Sequence, residues 1–450
     1  MKRIISGLVR GTIDSIRRFF LTFCLILGLF LVWSYRVIYN LTALIVSPNL
    51  LDILRSVLLV LMFGILFCTL GTILYEKFHE KIRVKKIFVD IGLLIVTGLV
   101  YIPLMDFNNN AYIVNGYIGV MVALFMCIIY FSIKESISKT FSYMFKSMMR
   151  NILICGVVFG GMFLCVFAFD LLIFSFDWNM RRLIYAVTAL FIWIVLFLSL
   201  SLSAIPKKDT GFSAPEAFKV IVMCVMLPIF LLLLILYIDL IRSVVALDFP
   251  SVLINQLASF MSLTFIFFIL SLEQYRKESK FAELFVRFAG YIIIPVIAVQ
   301  FWDIYIRVSA HGLTSAKYVS IALNIIVLTF AIFSLIKSGR LMKYMLLVTA
   351  TVALVITVTP LNVIDVPVRS QTARLISLLE ENDMIVDGRI VAAAQREISL
   401  ENRIQIARAY RYIVNSGANI PSILADTEGR SFERVFGFVV CTCTRCTRCR

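Results

Sequence analysis

The 450-residue chain has few of the side chains that most enzymes need for their chemistry. It contains only two histidines, His79 and His311, so a histidine-rich metal site or a histidine-based catalytic triad is nearly excluded. The Gly-x-Gly-x-x-Gly, Gly-x-Ser-x-Gly and His-Glu-x-x-His motifs are absent, and so is a phosphate-binding loop with its lysine. The sequence therefore favours a non-enzymatic role and predicts no cofactor.

Charged residues are also scarce. They make up 16% of the chain, whereas soluble domains carry about 25%. Hydrophobic residues make up 61%, and the mean hydropathy is +0.96. This is more apolar surface than a water-soluble fold can bury, and a disordered chain would need low hydrophobicity instead. The composition predicts a membrane protein.

Apolar stretches of membrane-spanning length occur along most of the chain, since a helix of about 20 residues crosses a hydrocarbon layer of about 30 Å. There are eleven, at roughly 19–35, 56–75, 87–105, 116–133, 152–174, 183–205, 220–241, 252–272, 290–308, 319–336 and 344–366. They are too long for barrel strands, and lipid requires every backbone polar group to be satisfied internally. The sequence predicts an all-α polytopic membrane protein with about 11 transmembrane helices.

Lysine and arginine are concentrated in alternate connections between these stretches. Twenty-four lie in the N-terminal segment and the connections in phase with it, against seven on the other side. Because cytoplasmic loops are enriched in these residues, the N-terminus is predicted to be cytoplasmic and the C-terminal tail extracytoplasmic. The net charge of +16 is spread between apolar runs, so we expect the lipid bilayer as a partner and no nucleic acid.

The sequence divides into four segments: a basic N-terminal segment at 1–18, a transmembrane domain at 19–366, a helical tail at 367–440 and a Cys-rich, low-complexity end at 441–450. Residues 1–18 carry apolar residues at helical spacing beside arginines. This pattern fits an interfacial helix on an anionic leaflet, or a basic flank that only sets the topology. The connections 139–150 and 276–287 leave the same two interpretations open.

The composition changes abruptly at Val368, after which the chain has twelve arginines and no lysine. Ser370 is predicted to cap one helix and Ser399 a second, with a turn at Asp387-Gly388 between them. Two short helices can form only a small core. We therefore expect the tail to dock on the outer face of the membrane domain, with binding of an envelope partner as its functional alternative.

The last ten residues contain four cysteines in the spacing C-x-C-x2-C-x2-C, namely Cys441, Cys443, Cys446 and Cys449. Four such thiols can bind Zn²⁺ or a soft metal. Paired structural-zinc motifs, however, separate their cysteine pairs by a longer loop, and an extracytoplasmic cluster would tend to oxidise. We favour a disordered tail, or a sequence outside its natural reading frame, over a metal site.

Ionisable and amide side chains occur inside several predicted spans, where they are costly unless functional. Six lie near the predicted outer ends of spans five, seven, eight and nine: Asp170, Asp239, Gln256, Gln300, Asp303 and Arg307. If these helices are neighbours, the six line an outward-facing polar cavity. The alternatives are that each side chain reaches the interface separately, or that Asp303 and Arg307, four residues apart, form a structural ion pair.

Residues 302–318 and 369–375 carry a recognisable pattern, in which Tyr305, Arg307, Gly312, Leu313, Thr314 and Tyr318 are followed by Ser370 and Gln371. In these residues the chain resembles the bacterial family of polytopic membrane proteins called domain of unknown function 4153 (DUF4153). His311 and Lys317 stand where that family usually has tyrosine and arginine, and Asp239 replaces an aromatic residue. The Cys-rich end has no counterpart.

The resemblance implies a bacterial inner-membrane protein, and it supplies no activity and no catalytic residue. Its best motif is interpreted as the end of a span, where Arg307 anchors at the interface, His311-Gly312 turns the chain and Thr314 caps the next helix. The sequence thus favours an envelope scaffold, accessory or sensing protein. The alternative is a transporter or lipid translocator that uses the polar cavity, and an enzyme acting on lipid-linked substrates comes third because it lacks a motif.

Overall fold

Long α-helices make up most of the described chain. The computed structural model describes residues 13–41, 48–79, 84–107, 110–134, 136–172, 176–206, 251–336, 342–386, 388–392, 398–419, 421, 423–424 and 431–438, together with 222, 228, 231–232, 234–235 and 238. Within these ranges the predicted spans are helical over nearly their whole length. The expected helical class is therefore confirmed.

The first part of the chain forms six helices. They are α1 (Phe20–Leu41), α2 (Pro48–Phe78), α3 (Lys86–Leu99, continued by Tyr101–Leu104), α4 (Ala111–Ser132), α5 (Ile137–Leu172) and α6 (Trp178–Leu190, Phe191–Leu196 and Phe197–Ser203). The middle segment of α6 is a π-helix, a wider turn that often marks a functional position. At 36 residues, α5 is about 54 Å long and includes the basic connection 139–150, which is thus part of the span helix.

The described residues between 251 and 358 form four further helices: α7 (Ser251–Leu272), α8 (Lys280–His311), α9 (Ser315–Leu335) and α10 (Tyr344–Val358). Helix α8 begins at Ser279, whose side chain accepts a hydrogen bond from the Ala282 N–H, and it continues through Pro295. It ends at Gly312, where φ is +71°. Because so few residues separate α8 from α9, the two helices form an antiparallel hairpin.

The tail has three helices and a small hairpin: α11 (Asp365–Glu380), β1 (Ile385–Val386), β2 (Arg389–Ile390), α12 (Leu400–Asn415) and α13 (Phe432–Phe436). The strands are antiparallel, with Ile385 opposite Ile390. Leu375, Leu379, Ile406 and Phe436 are completely buried in a core of their own. The helix capped by Ser399 is confirmed, since the Ser399 side chain accepts the Asn402 N–H. Of the predicted Asp387-Gly388 turn, Gly388 has a φ of +74° and precedes the paired Arg389, whereas Asp387 lies outside the described residues.

The start of the tail differs from its prediction. Helix α10 ends at Val358 and α11 begins at Asp365, so Ser370 lies inside α11 and does not cap it. The reason is Asn362, whose Oδ1 accepts the N–H groups of Ile364 and Asp365 at 2.9 and 2.7 Å and fixes the first turn earlier. The prediction missed this side chain because it treated residues 344–366 as a single span.

Eight of the described helices are long and apolar enough to cross a membrane, and Ser259–Tyr275 and Tyr344–Val358 are shorter apolar helices. Helices of this length and composition indicate a membrane protein. The predicted seventh span, 220–241, falls largely outside the described residues, as do residues 1–12 of the N-terminal segment. The total of eleven spans and the cytoplasmic N-terminus therefore stay predictions.

Helix α5 shows how the apolar surface is distributed. The side chains of Leu153, Val157, Leu164 and Leu171 are between 64% and 76% exposed along it. In water such a surface would favour aggregation, whereas lipid tails cover it at no cost. The inward faces pack closely where the residues are small: a Cβ on Gly290 of α8 would lie only 2.8 Å from the Leu335 side chain of α9.

Candidate functional site

Asp303 of α8, one of the predicted cavity residues, is almost fully buried, with an exposed fraction of 1%. Its Oδ1 accepts a hydrogen bond from Arg307 Nε at 3.0 Å and forms an ion pair with Arg307 Nη2, which lies 2.9 Å away. Because the two residues are one helical turn apart, α8 itself sets this geometry. The ion pair expected from the sequence is therefore present, and Asp303 Oδ2 has no hydrogen-bond partner among the described residues.

Two amide side chains lie near the same level of the α8–α9 hairpin. Gln300 is fully buried, and its Nε2 is 3.5 Å from Ser259 Oγ of α7. Asn324 of α9 is as far from Gly312 along the chain as Gln300, and the antiparallel pairing places the two at one depth. Asn324 is also fully buried, and neither its Oδ1 nor its Nδ2 has a partner in the described part of the chain. A buried unpaired amide is costly, which makes Asn324 a candidate ligand-binding residue.

Asp170 is paired with residues of the α5–α6 region. Its Oδ2 is 2.9 Å from Arg181 of α6, and its Oδ1 accepts the Phe176 N–H at 2.8 Å. These contacts close the connection between α5 and α6, so Asp170 has a structural role there. The carboxylate of Asp170 thus has its own ion-pair and hydrogen-bond partners, which do not include Asp303 or Arg307. Asp239 and the Gln256 side chain lie outside the described residues.

The second feature is a set of hydrogen bonds between the tail and the loop that joins α8 to α9, which we call the docking seam. Gln371 Nε2 donates to the backbone oxygens of His311 at 3.1 Å and Leu313 at 2.9 Å. Ser370 Oγ accepts the Leu313 N–H at 3.2 Å. The two distant parts of the sequence motif therefore meet in space, with α11 providing side chains and the loop providing backbone groups.

Gly312 allows this close approach. A Cβ at this position would lie 2.6 Å from Gln371 Nε2 and 2.9 Å from Gln371 Cδ. In addition, its φ of +71° and ψ of +167° form a combination essentially restricted to glycine. Both constraints require glycine, because any side chain would displace Gln371 from the loop.

Helix α12 completes the docking seam. The Tyr412 hydroxyl accepts the Ser315 N–H at 2.8 Å and lies 2.8 Å from Ser315 Oγ, which itself donates to the Val363 backbone oxygen. Ser315 is the first residue of α9, where helical N–H groups have no partner within the helix. Tyr412 thus takes over a role that the sequence assigned to Thr314, which occupies the N-cap position without a side-chain hydrogen bond.

A third contact holds the start of α11 against α4. The Tyr112 hydroxyl donates to Asp365 Oδ1 at 2.6 Å, and Asn362 Nδ2 donates to Asp365 Oδ2 at 2.8 Å. No sequence pattern connects residues 112 and 365. The only local signal is the Asn362-x-x-Asp365 spacing, which is typical of a turn that starts a helix.

The remaining motif residues surround the loop. Tyr318 donates its hydroxyl to the Leu361 backbone oxygen at 2.6 Å, and Lys317 Nζ donates to the backbone oxygens of Arg307 and Gly312. Tyr305 points outward with 65% exposure, its ring 5.9 Å from that of Trp302. This aromatic pair has the character of a membrane-interface anchor.

No group of three His, Cys, Asp or Glu side chains suited to a metal ion occurs in the described part of the chain. Cys441, Cys443, Cys446 and Cys449 lie outside it. Comparison of the chain with protein-family models, with curated proteins and with solved structures finds no match. The candidate site therefore consists of the docking seam and the buried polar groups below it in the α8–α9 hairpin.

Proposed function

We propose that this chain is a multi-pass protein of the bacterial inner membrane that acts as an envelope sensing or accessory protein. In this proposal the N-terminus is cytoplasmic and the tail is extracytoplasmic, where it binds an envelope partner. The docking seam carries the proposal, because it joins a separately packed tail to a loop between two spans. The resemblance to DUF4153 supports the cellular location.

A connected path leads from the tail to the buried ion pair. Gln371 binds the loop at Leu313, and Lys317 Nζ bonds both Gly312 and the Arg307 backbone oxygen. Arg307 in turn holds Asp303. A partner that moves α11 would therefore act on the end of α8 through hydrogen bonds rather than through the flexible lipid.

The test combines orientation with coupling. In a variant without native cysteines, Ile13→Cys and Val391→Cys place one exposed thiol near each end of the described chain. We expect a membrane-impermeant reagent to label only the tail thiol in intact spheroplasts. Labelling of both thiols from the same side would contradict the proposed topology.

The coupling is tested by hydrogen exchange of the intact protein in nanodiscs. Gln371→Ala is expected to increase exchange at residues 307–315, because the loop loses two hydrogen bonds. The control is Gln405→Ala on α12, which contacts Arg374 within the tail and not the loop. Equal effects of the two variants on α8 would refute a specific path.

Transport is a second candidate, favoured by one observation: the buried amide of Asn324, at the depth of Gln300, has no hydrogen-bond partner among the described residues. A solute or cation that crosses the membrane near this hairpin would satisfy that amide and Asp303 Oδ2. The test is a set of ion- and lipid-flux assays in proteoliposomes with Asn324→Leu. Flux that is absent in both proteins, or unchanged in the variant, would eliminate this candidate.

A further inference from the structure

An open pocket of about 530 Å³ lies between α12 and the first turn of α9. Its described lining residues are Ser315, Arg408, Arg411, Tyr412, Asn415 and Ser416. Arg408, Arg411 and Asn415 follow the helical spacing that puts them on one face of α12. The volume suits a small polar ligand.

The lining contains two guanidinium groups, and no carboxylate occurs among its described residues. Both arginines are exposed, so their donors can reach a bound group. Burial and the nearby Arg408 guanidinium lower the pKa of Arg374, which shows that a third arginine lies close to the pocket. Lys317 is within electrostatic reach of Arg374 as well.

Two acids of this region are already engaged, since Asp303 bonds Arg307 and Asp365 is bound by Tyr112 and Asn362. Arg374 is within electrostatic reach of both Arg408 and Lys317, and Arg411 lies one turn from Arg408 on α12. Positive charges that repel one another therefore accumulate around the pocket. Because arginine stays charged at any ordinary pH, an anion is the ligand that relieves this repulsion.

The position of the pocket relative to the membrane indicates which anions can reach it. Ser315 is the first residue of α9, a span-length apolar helix, so the pocket lies at a membrane–water boundary. Lipid phosphates lie at this level. Arginine side chains bind phosphate oxygens through two parallel N–H donors, and Arg408 and Arg411 are one turn apart on α12.

We propose that this pocket binds a phosphate group, supplied by an anionic lipid headgroup or by a soluble phosphate ester. Arg408 and Arg411 clamp the phosphate, and Asn415 adds a neutral donor. Because Ser315 and Tyr412 belong to both the pocket and the docking seam, the bound phosphate holds α12 against α9. The inference rests on the proposed function only in requiring that the tail be docked, and it names the ligand that strengthens docking.

The experiment uses the full-length protein purified in mild detergent and transferred to nanodiscs. The discs contain either zwitterionic lipid alone or zwitterionic lipid with phosphatidylglycerol, and retained lipid is counted by native mass spectrometry. The variant R408Q/R411Q is expected to retain phosphatidylglycerol about tenfold or more weakly than the unmodified protein, because it loses both charged clamps. The matched control R389Q/R434Q removes two exposed tail arginines that do not line the pocket.

A loss in R408Q/R411Q with retention in R389Q/R434Q supports the site. An equal loss in both variants means diffuse charge attraction, and either this result or unchanged retention excludes a lipid headgroup as the phosphate source. A parallel arm adds inorganic phosphate to the protein in lipid-free detergent and follows hydrogen exchange of α12. Protection there, without selective lipid retention, assigns a soluble phosphate source; absence of binding in both arms overturns the proposal.

Exchange at the Leu313 amide separates this inference from the proposed function. If that amide is protected by Ser370 while neither phosphate source binds, docking stands and the phosphate site is wrong. If the amide exchanges freely in the unmodified protein, the docked tail itself is wrong, whatever binds to the arginines.

Discussion

The substitution Gly312→Ala tests the docking seam most directly. The added Cβ would lie 2.6 Å from Gln371 Nε2 and 2.9 Å from Gln371 Cδ, closer than unbonded atoms approach. The alanine would also have to adopt a φ of +71° with a ψ of +167°. The change adds only one methyl group, so it leaves the charge and hydropathy of the loop almost unaltered.

The expected cost has two parts. Holding a residue other than glycine at such angles costs about 1–3 kcal/mol. Displacing Gln371 from the oxygens of His311 and Leu313 removes two hydrogen bonds, each worth about 0.5–1.5 kcal/mol. Together they give about 2–6 kcal/mol against docking. Even a cost of about 3 kcal/mol would raise the population of undocked tail by roughly two orders of magnitude.

Hydrogen exchange measures this population at the amides that the tail protects. The Leu313 N–H is bonded to Ser370 and the Ser315 N–H to Tyr412, so both should exchange faster in Gly312→Ala by the factor above. The matched control is Gly388→Ala. Gly388 also has a positive φ, of +74°, but no atom lies within 4 Å of its would-be Cβ. It should loosen the tail hairpin without opening the seam.

Unchanged exchange at Leu313 and Ser315 in Gly312→Ala would show that the seam does not form in the membrane. The double variant with Gln371→Ala gives a second check. Since Gln371→Ala removes the atoms that clash, adding Gly312→Ala to it should cost only the backbone strain. Fully additive costs would mean that the two residues are not in contact.

Three further variants test single interactions. Tyr412→Phe should lower the free energy of opening at the Ser315 amide by about 1 kcal/mol and so speed its exchange, because that N–H loses its acceptor. Tyr410→Phe, whose ring packs on Phe432 and Phe436, should leave this exchange unchanged. Asp303→Asn should lower the free energy of unfolding of the membrane domain by about 3 kcal/mol, since Arg307 loses its charged partner. Adding Arg307→Met should restore part of this loss. No change in the free energy of unfolding would refute a buried ion pair. Ser399→Ala should destabilise the first turn of α12 by about 1 kcal/mol, which would appear as faster exchange at Asn402. The control is Ser431→Ala, which should have little effect on α13 because the Ser431 side chain makes no capping hydrogen bond.

Features that depend on neighbours in the sequence were predicted well. The apolar runs are helical over nearly all of their described length, because a backbone in lipid must satisfy its own hydrogen bonds. The exception is the end of the last predicted span, since α10 ends at Val358. The Asp303–Arg307 pair and the Ser399 cap were also expected, since a spacing of three or four residues fixes contact within one helix. Ser370 failed as a cap because the competing Asn362, only eight residues earlier, starts α11 first.

Contacts between distant segments came only from the tertiary structure. It pairs Asp170 with Arg181, and it brings Gln371 onto the loop at Gly312. The sequence determined what kind of solvent the chain needs and where its helices run, because those follow from local hydrophobicity and backbone hydrogen bonding. The packing of helices far apart in the chain decided which polar groups meet, because that depends on how whole surfaces fit together.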